Sequence, residues 1–149
     1  MEPKDRECFC AMADEFYHSS AVLHAVPKEN FSRTFDAVLE NSPYVRGLIL
    51  EQEGQAAGYS LLLPTYSNEA GGMVLWVDEL YVQPEFRGCG LGGELLRYVF
   101  SLGGKISAVR LEVTKSNRKA ISLYRREGFA DLDYAQMLKK IEKDRRTSS

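Results

Sequence analysis

The chain has 149 residues, of which 44% are hydrophobic and 27% are charged, which is typical of one globular domain and excludes a disordered or repetitive chain. It carries 19 Lys and Arg against 21 Asp and Glu, a net charge of -2, so the basic excess of a nucleic-acid-binding protein is absent. No apolar run is long enough to cross a bilayer, and we expect a soluble, cytoplasmic protein with no membrane partner.

The cysteines and histidines do not form a pattern that indicates a metal site. Cys8, Cys10 and Cys89 cannot all pair within the chain, and the first two lack the second cysteine pair that a zinc site needs. His18 and His24 are six residues apart, which matches neither a metal pair on a helix nor a nucleophile with its base. We therefore expect no disulfide framework and no bound metal.

The first half of the chain predicts two helices followed by an antiparallel hairpin. Apolar residues recur at nearly helical spacing over Arg6–Tyr17, and Asn30 is a candidate N-cap for a second helix. Residues 45–52 and 56–64 are expected to be strands. The Glu53-Gly54 pair between them favours a tight hairpin turn, because an acidic residue followed by glycine suits its backbone angles.

The second half predicts strands that alternate with helices. In chain order these are a long strand at 73–82, a helix at 91–100, a strand at 109–113, a helix that Ser116 or Asn117 caps and Gly128 ends, and a last strand at about 129–138. The charged tail at 139–149 is expected to be solvated and frayed. This order predicts one α/β domain over residues 1–149, with a mixed sheet between helices.

The segment that says most about function is the glycine-rich loop Arg87-Gly88-Cys89-Gly90-Leu91-Gly92-Gly93, between the long strand and the next helix. Glycines let the backbone approach a ligand closely, and the helix points free N–H groups and its positive dipole end at the loop. A phosphate group is the ligand that such an arrangement favours.

Two familiar phosphate-binding loops fit this segment poorly. The Walker loop needs Lys followed by Ser or Thr after its last glycine, and this chain has Glu94 there. The dinucleotide fingerprint is matched literally by Gly88, Gly90 and Gly93, with Glu112 about twenty residues later. However, two predicted helices and a hairpin precede the loop, and too little chain follows for a doubly wound sheet. A nicotinamide-binding protein is therefore the less favoured hypothesis.

A third comparison fits better. Arg87-x-x-Gly90-x-Gly92, after Leu80-Tyr81-Val82-x-Pro84 and before Leu95-Leu96, resembles the loop that binds the acetyl-CoA pyrophosphate in the GNAT superfamily of N-acetyltransferases. A second block, Asn117-x-x-Ala120-x-x-Leu123-Tyr124-x-x-x-Gly128-Phe129, is similar to that family's later motif. The resemblance is residue-specific from about Trp76 to Phe129 and follows the order of elements elsewhere.

The resemblance implies the GNAT fold and acetyl-CoA as cosubstrate. That fold is a mixed, mostly antiparallel sheet of six or seven strands flanked by about four helices, with central strands that splay apart. The family's first strand is short or missing here, so the sheet is one strand smaller or another subunit completes that edge, which leaves a homodimer open. The implied cofactor-binding residues are Leu80, Tyr81, Val82, Arg87, Gly88, Cys89, Gly90, Leu91, Gly92, Gly93, Asn117, Ala120 and Tyr124.

Several of these residues have a second interpretation. Arg87 either pairs with the diphosphate or braces the loop, and Asn117 either bonds the pantetheine arm or caps its helix. A covalent acyl-enzyme on Cys89 is disfavoured because no base is evident beside it.

The resemblance also implies the catalytic groups. Tyr124 occupies the family position whose hydroxyl approaches the CoA sulfur and is the candidate acid, although its helix would also suit a core tyrosine. Asp78 and Glu79 are the candidate bases. Neighbours on a regular strand point to opposite faces, whereas a bulge could present both; Glu79 is slightly preferred for its longer side chain.

The acceptor pocket is less clear from the sequence. Tyr17, Tyr66 and Glu69 are expected to form an aromatic and acidic site for an ammonium group. In the alternative interpretation, the two tyrosines pack against the protein and Glu69 stays solvated. The predicted function is acetyl transfer from acetyl-CoA to a primary amine of a small molecule or peptide, by direct attack in a ternary complex. The alternative is a non-catalytic acyl-CoA-binding sensor or assembly module.

Overall fold

Residues 1–142 are described by the computed structural model. Helices α1 (Arg6–Tyr17) and α2 (Glu29–Leu39) come first and are followed by three strands, β1 (Arg46–Gln52), β2 (Gln55–Ser67) and β3 (Gly72–Val82). The remaining elements are α3 (Leu91–Ser101), β4 (Ile106–Leu111) and α4 (Arg118–Arg126). The predicted mixed α/β architecture with four helices is confirmed. None of these helices is long and apolar enough to cross a membrane.

The four strands form one mixed sheet in the order β1-β2-β3-β4. The β1–β2 and β2–β3 pairs are antiparallel, and β3–β4 is parallel. The first hairpin turns at Glu53 and Gly54, whose φ angles of 51° and 77° are both left-handed. Two left-handed residues in a two-residue turn match the right-handed twist of the strands, so the predicted hairpin turn is confirmed.

Strand β3 extends beyond the end of its parallel neighbour. The last β3–β4 pair is Val77 with Leu111, whereas β3 stays paired with β2 as far as Val82 opposite Gly58. Within residues 1–142, residues 78–82 therefore have no strand beside them on the β4 side. This leaves an open strand edge at the place where the resemblance implies that the central strands splay apart.

Two apolar layers cover the sheet. Helices α1 and α2 pack on one face around Phe9, Phe35 and Tyr59, each at most 1% exposed. Helices α3 and α4 cover the other face around Leu96 and its neighbours. Full burial of one such side chain contributes about 1.5–3 kcal/mol, so both helix pairs are firmly attached to the sheet that carries the site.

Two predicted boundaries differ from the structure. Helix α2 begins at Glu29 with Lys28 as its N-cap, because the chain already turns at Pro27, whose carbonyl accepts from Asn30 N at 3.0 Å. Asn30 therefore lies inside the first turn and is not the cap. Strand β4 begins at Ile106 because it starts pairing with β3 there, three residues before the predicted strand.

The last predicted strand, at about 129–138, is wrong for the described chain. Residues 130–142 are exposed and contain no helix or strand, so the sheet of residues 1–142 has four strands and the expected six or seven are not confirmed. A strand requires a partner for its backbone groups, and this segment has none. Only part of the predicted tail is described, because residues 143–149 lie outside the described residues.

At the start of the chain, a short 3-10 turn at Pro3–Asp5 precedes α1, and no strand lies before it. Strand β1 is therefore one edge of the sheet, and β4 is the other. This agrees with the expectation that the first family strand is missing.

Candidate active site

Strand β3 carries one residue more than β2 where the two acidic residues lie. Glu79 pairs with Leu61 and Val77 pairs with Leu62, which leaves Asp78 without an opposite residue. Two residues against one define a β-bulge, which bends the strand and redirects its side chains.

The side chains around the bulge demonstrate its effect. Val77 packs on the α3/α4 face of the sheet, whereas Tyr81 packs on the α1/α2 face. In an unbroken strand these two residues would share a face, because side chains alternate with a period of two. The reversal puts Asp78 and Glu79 on the same side, where both line one cavity.

This cavity has a volume of about 410 Å³ and lies between the sheet and helices α1 and α2. Tyr17 lines it, together with exposed Arg33 from α2. Much of the remaining wall is apolar and includes Phe9, Phe31, Val45, Leu61 and Leu63. A cavity of this size fits a small molecule, and the two carboxylates on its sheet wall attract a cation.

The carboxylate of Glu79 is held at both oxygens. The Tyr17 hydroxyl donates to Oε1, and the Tyr59 hydroxyl donates to Oε2 at 2.6 Å. Glu79 is only 7% exposed, and burial raises its pKa, an effect that the two tyrosine hydrogen bonds oppose and the negative charge of Asp78 reinforces. The result is an oriented carboxylate with a higher proton affinity than an ordinary glutamate.

Asp78 is the more solvated of the two acids. Its side chain is exposed to water. Partial loss of hydration raises its pKa, and the negative charge of Glu112 adds to the rise. The wall of the cavity therefore combines one buried, fixed carboxylate with one that faces solvent.

Tyr81 makes a separate pair beside this site. Its hydroxyl donates to Glu15 of α1, and burial together with that hydrogen bond raises the pKa of Tyr81 to about 12. Glu15 therefore holds a tyrosine whose ring packs against Tyr59 of the Glu79 network, with 6.0 Å between ring centroids, but whose hydroxyl bonds Glu15 and not Glu79.

The glycine-rich loop ends at the first turn of α3. Gly90 is the N-cap of that helix and has a φ of 84°, a left-handed angle that side chains disfavour. The Arg87 side chain braces the loop, since its Nε donates to Val82 O at 2.8 Å. Cys89 is exposed, and its Sγ lies 3.9 Å from the carbonyl oxygen of Arg87.

Gly92 serves helix packing. A Cβ atom there would lie 2.9 Å from Leu123 Cδ2, so the glycine lets α3 approach α4 closely. The motif that resembles an acetyl-CoA loop thus includes at least one glycine whose neighbour is another helix.

Tyr124 lies on α4, on the other face of the sheet from Glu79. Its ring contacts Phe129 edge-on, with 5.9 Å between centroids, and burial raises the pKa of its hydroxyl. The open edge of β3, at Leu80–Val82, lies between the two faces. Asn117 caps α4 by accepting from Ala120 N at 3.3 Å, which confirms the predicted cap.

These elements fit acetyl-CoA. The open edge of β3 offers backbone groups to the two amides of a pantetheine arm, because β4 ends before it. The start of α3, with Gly90 in the left-handed conformation, points backbone N–H groups at the space where a diphosphate would be bound.

Not all predicted acceptor residues lie together. Tyr17 lines the cavity, but neither Tyr66 nor Glu69 does. Tyr66 is 76% exposed, and Glu69 accepts from the Tyr134 hydroxyl at 3.0 Å. Over residues 1–142, no three His, Cys, Asp or Glu side chains lie close enough together to bind a metal ion.

Sequence reasoning missed Tyr59, which is fully buried and bonded to Glu79. The only sequence signal for it was a phenol at an inward-facing strand position, where a buried hydroxyl needs a partner. Glu79 lies on the neighbouring strand, two positions from the residue opposite Tyr59, and that register cannot be read from the sequence alone.

The chain is similar in sequence to known acetyltransferases. Residues 9–129 match the model of the acetyltransferase (GNAT) family. YhfO, an uncharacterized N-acetyltransferase of Bacillus subtilis (strain 168), is 34% identical over 119 residues, 78% of this chain and 76% of that protein. The thialysine N-epsilon-acetyltransferase of Mus musculus is 29% identical over 143 residues, 88% of this chain and 83% of the relative.

The fold has close counterparts too. The crystal structure of a possible acetyltransferase from Clostridium difficile 630 has a TM-score of 0.81 and 16% sequence identity, and the match covers 96% of this chain and 95% of that one. Fold and sequence thus define an acetyl-CoA-dependent acyltransferase. The chain belongs to the acetyltransferase (GNAT) family, and its activity is acetyl transfer to an amine.

Proposed function

We propose that this N-acetyltransferase acts on a primary amine of a small cationic acceptor, by direct attack in a ternary complex. The observation that carries the proposal is the bulge at Asp78. Because of it, the side chains of Asp78 and Glu79 both line one cavity beside the open edge of β3. Glu79 is the proposed base, Asp78 the residue that attracts the acceptor, and Tyr124 the proposed acid.

The base must remove a proton from the acceptor, because an alkyl amine is protonated at neutral pH and an ammonium cannot attack. Glu79 suits this role, since burial raises its pKa and two tyrosine hydroxyls fix its oxygens. Asp78 adds a second negative charge on the same wall, which favours the binding of an ammonium group.

On the other face, Tyr124 supplies the proton that the departing sulfur needs. Its pKa is raised by burial, so the hydroxyl stays protonated at neutral pH and is available as a donor. A thiol with a pKa of about 8.5 leaves with the help of only a weak acid. Bound acetyl-CoA supplies the acetyl thioester, and we propose that Leu80–Val82 and the loop from Arg87 to Gly93 hold it.

The cavity supports an acceptor with an aliphatic or aromatic arm that carries the amine. Its wall is largely apolar, and about 410 Å³ is enough for a small molecule but not for a folded protein surface. The mouse relative is named for acetylating the ε-nitrogen of thialysine, an amine on such an arm. Tyr66 and Glu69, outside the cavity, would then contact only an acceptor that extends beyond it.

The experiment is release of CoA thiol from acetyl-CoA, measured with a panel of amines. The panel contains aliphatic diamines, lysine-like amino acids, a peptide with a free N-terminus, and N-acetylated versions of each as controls. We expect thiol release with the small diamines and lysine-like amines and none with the blocked compounds.

Two outcomes would contradict the proposal. Acetyl-CoA binding by calorimetry without thiol release on any amine favours the non-catalytic module. Binding of a nicotinamide cofactor with no binding of acetyl-CoA favours the dinucleotide hypothesis, which the glycine spacing allows.

A further inference from the structure

The cavity beside the two acidic residues has a second polar wall, which the proposed chemistry does not use. Helix α2 forms this wall on the side away from the sheet. The α2 residues that line the cavity include Asn30, Arg33, Thr34 and Ala37. Residues three or four positions apart share one face of a helix, so these side chains form a single stripe. The cavity thus has an acidic wall on β3 and a basic, polar wall on α2.

The positive charge of Arg33 is available to a ligand. Among the described residues that line the cavity, Arg33 is the one Lys or Arg, and its side chain is exposed. Over residues 1–142 it forms no ion pair. The nearest acids of its own helix do not neutralise it, because Asp36 pairs with Arg6 at 2.5 Å and Glu29 does not line the cavity.

Apolar side chains separate the two charged walls. Val45, Leu61 and Leu63 line the cavity between them, within a volume of about 410 Å³. An apolar surface favours contact with methylene groups and does not solvate a charge. A ligand that satisfies the whole cavity therefore has a cation at one end, an anion at the other, and an aliphatic arm between them.

We propose that the acceptor is an amino acid whose reactive amine ends an aliphatic arm and whose carboxylate pairs with Arg33. The inference rests on the proposed function, in which Glu79 receives the amine end. A guanidinium suits the other end, because it is planar and offers two parallel N–H donors to a carboxylate. Arg33 is thus a substrate-binding residue that selects among amines and takes no part in acetyl transfer.

Two features of α2 strengthen the site for an anion. Asn30 is not the N-cap of the helix, since Lys28 has that position, and its side-chain amide can donate to a ligand. Long side chains on a helix lean toward its N-terminus, so Arg33 leans toward the turn that contains Asn30. The first turn of a helix also carries a partial positive charge, which favours a bound anion.

The same charges disfavour two other kinds of acceptor. A diamine or polyamine would bring a second ammonium group to Arg33, and like charges repel. An amine with a phosphate group carries nearly two negative charges at neutral pH, which a single guanidinium does not balance. A carboxylate carries one charge, and Arg33 matches it.

The test uses acceptors that differ only at the end of the arm away from the amine. In 6-aminohexanoate that end is negative, in 6-aminohexanamide neutral and in hexane-1,6-diamine positive, and a five-carbon set covers a shorter arm. Thiol release should give the carboxylate a kcat/KM roughly tenfold or more above the carboxamide, the usual contribution of a charged hydrogen bond. The difference should lie in KM, because this end is remote from the reacting atoms.

Variants of Arg33 should change this order in a predictable way. Arg33→Gln should remove the preference for the carboxylate, and Arg33→Glu should reverse it in favour of the diamine. Arg33→Lys should keep part of the preference, because it keeps the charge but not the paired donors. Arg46→Glu is the matched control, since Arg46 is exposed and precedes β1 residues of the same sheet without lining the cavity, and its preference should equal that of the unaltered enzyme.

Calorimetry with the CoA-saturated protein tests Arg33 without turnover. The carboxylate probe should bind at least roughly tenfold more tightly than the carboxamide, and Arg33→Gln should abolish the difference. If this pattern appears without thiol release on any amine, the proposed function fails and the Arg33 site stands. Thiol release with equal binding of carboxylate and carboxamide probes of both lengths would overturn the Arg33 site alone.

Three further outcomes would also overturn the Arg33 site. These are no measurable binding of either carboxylate probe, an unchanged preference in Arg33→Glu, and an equal loss of preference in Arg46→Glu. Because Arg33 and Arg46 are both exposed, none of these variants disturbs the core, and circular dichroism confirms that each is folded.

Discussion

Tyr59 on β2 donates a hydrogen bond of 2.6 Å to Glu79 on β3, although the residue opposite Tyr59 in the sheet is Tyr81. The contact is diagonal: Glu79 and Tyr81 are two residues apart on a regularly paired stretch of β3, so both lie on the face where Tyr59 is buried. Tyr17 reaches the other carboxylate oxygen from α1. Burial and the adjacent carboxylate raise the pKa of both tyrosines, so both remain hydrogen-bond donors at neutral pH.

Replacing the proposed base should affect turnover more than acceptor binding. We expect Glu79→Gln to lower kcat by about 10²–10⁴-fold, because an amide cannot take the ammonium proton. Asp78→Asn should mainly raise KM for a cationic amine, since it removes a charge but leaves the base. Steady-state thiol release with varied amine separates the two effects. Equal kcat in Glu79→Gln and the unaltered enzyme would assign the base to another group.

The pH dependence of kcat/KM should report the hydrogen bond from Tyr17. Glu79 acts only when it is deprotonated, so activity should rise with pH through the pKa of its carboxyl. The Tyr17 hydroxyl lowers that pKa, and Tyr17→Phe should therefore move the rising limb to higher pH. Tyr81→Phe is the control, because the Tyr81 hydroxyl bonds Glu15 instead, and its limb should not move. If the rising limb of the pH profile does not move in Tyr17→Phe, the ionisation that controls the rate does not belong to Glu79.

Local signals predicted much of the fold. Helix α1 has the predicted bounds because the apolar spacing that predicts it involves residues of that helix alone. The hairpin turn was predictable for the same reason, because it depends only on Glu53 and Gly54. The last strand could not be predicted in the same way. The residues at 129–138 favour a strand only if a neighbouring strand is present to pair with, and residues 1–142 provide no such neighbour.

The site depends on relationships that one sequence does not reveal. Motif spacing identifies Tyr124 and the loop as candidates, but the orientation of Asp78 and Glu79 depends on a one-residue register shift against β2. The register is decided by which apolar residues of both strands face each helix layer, and this is a property of the whole sheet. For the same reason, Tyr59 could not be paired with Glu79 in advance.

The left-handed glycine at the start of α3 should be required for coenzyme binding. Gly90→Ala adds a side chain at a φ of 84°, and the strain should displace the loop N–H groups and weaken acetyl-CoA binding by roughly tenfold, about 1.4 kcal/mol. Gly104→Ala is a matched control, with a φ of 68° and equally open surroundings after the same helix. It should lose similar stability but bind acetyl-CoA normally by calorimetry. Equal binding loss in both variants would indicate a general effect on the fold.

Removing the Tyr124 hydroxyl should separate chemistry from binding. Tyr124→Phe keeps the ring, and therefore its edge-on contact with Phe129, while it deletes the proposed proton donor. We expect kcat to fall by about 10²-fold, the usual contribution of a positioned acid, with the dissociation constant for CoA nearly unchanged. Calorimetry with CoA and thiol release at saturating amine measure the two quantities separately.

Tyr98→Phe provides the comparison for the Tyr124 variant. Tyr98 lies on α3, is 46% exposed, and takes no part in the site described above, so its variant should keep both turnover and CoA affinity. A donor whose leaving thiol needs less help is a further probe: an acyl-CoA analogue with a more acidic thiol should recover much of the rate in Tyr124→Phe. Loss of CoA binding in parallel with turnover, or no recovery with the analogue, would contradict the role of Tyr124 as the acid.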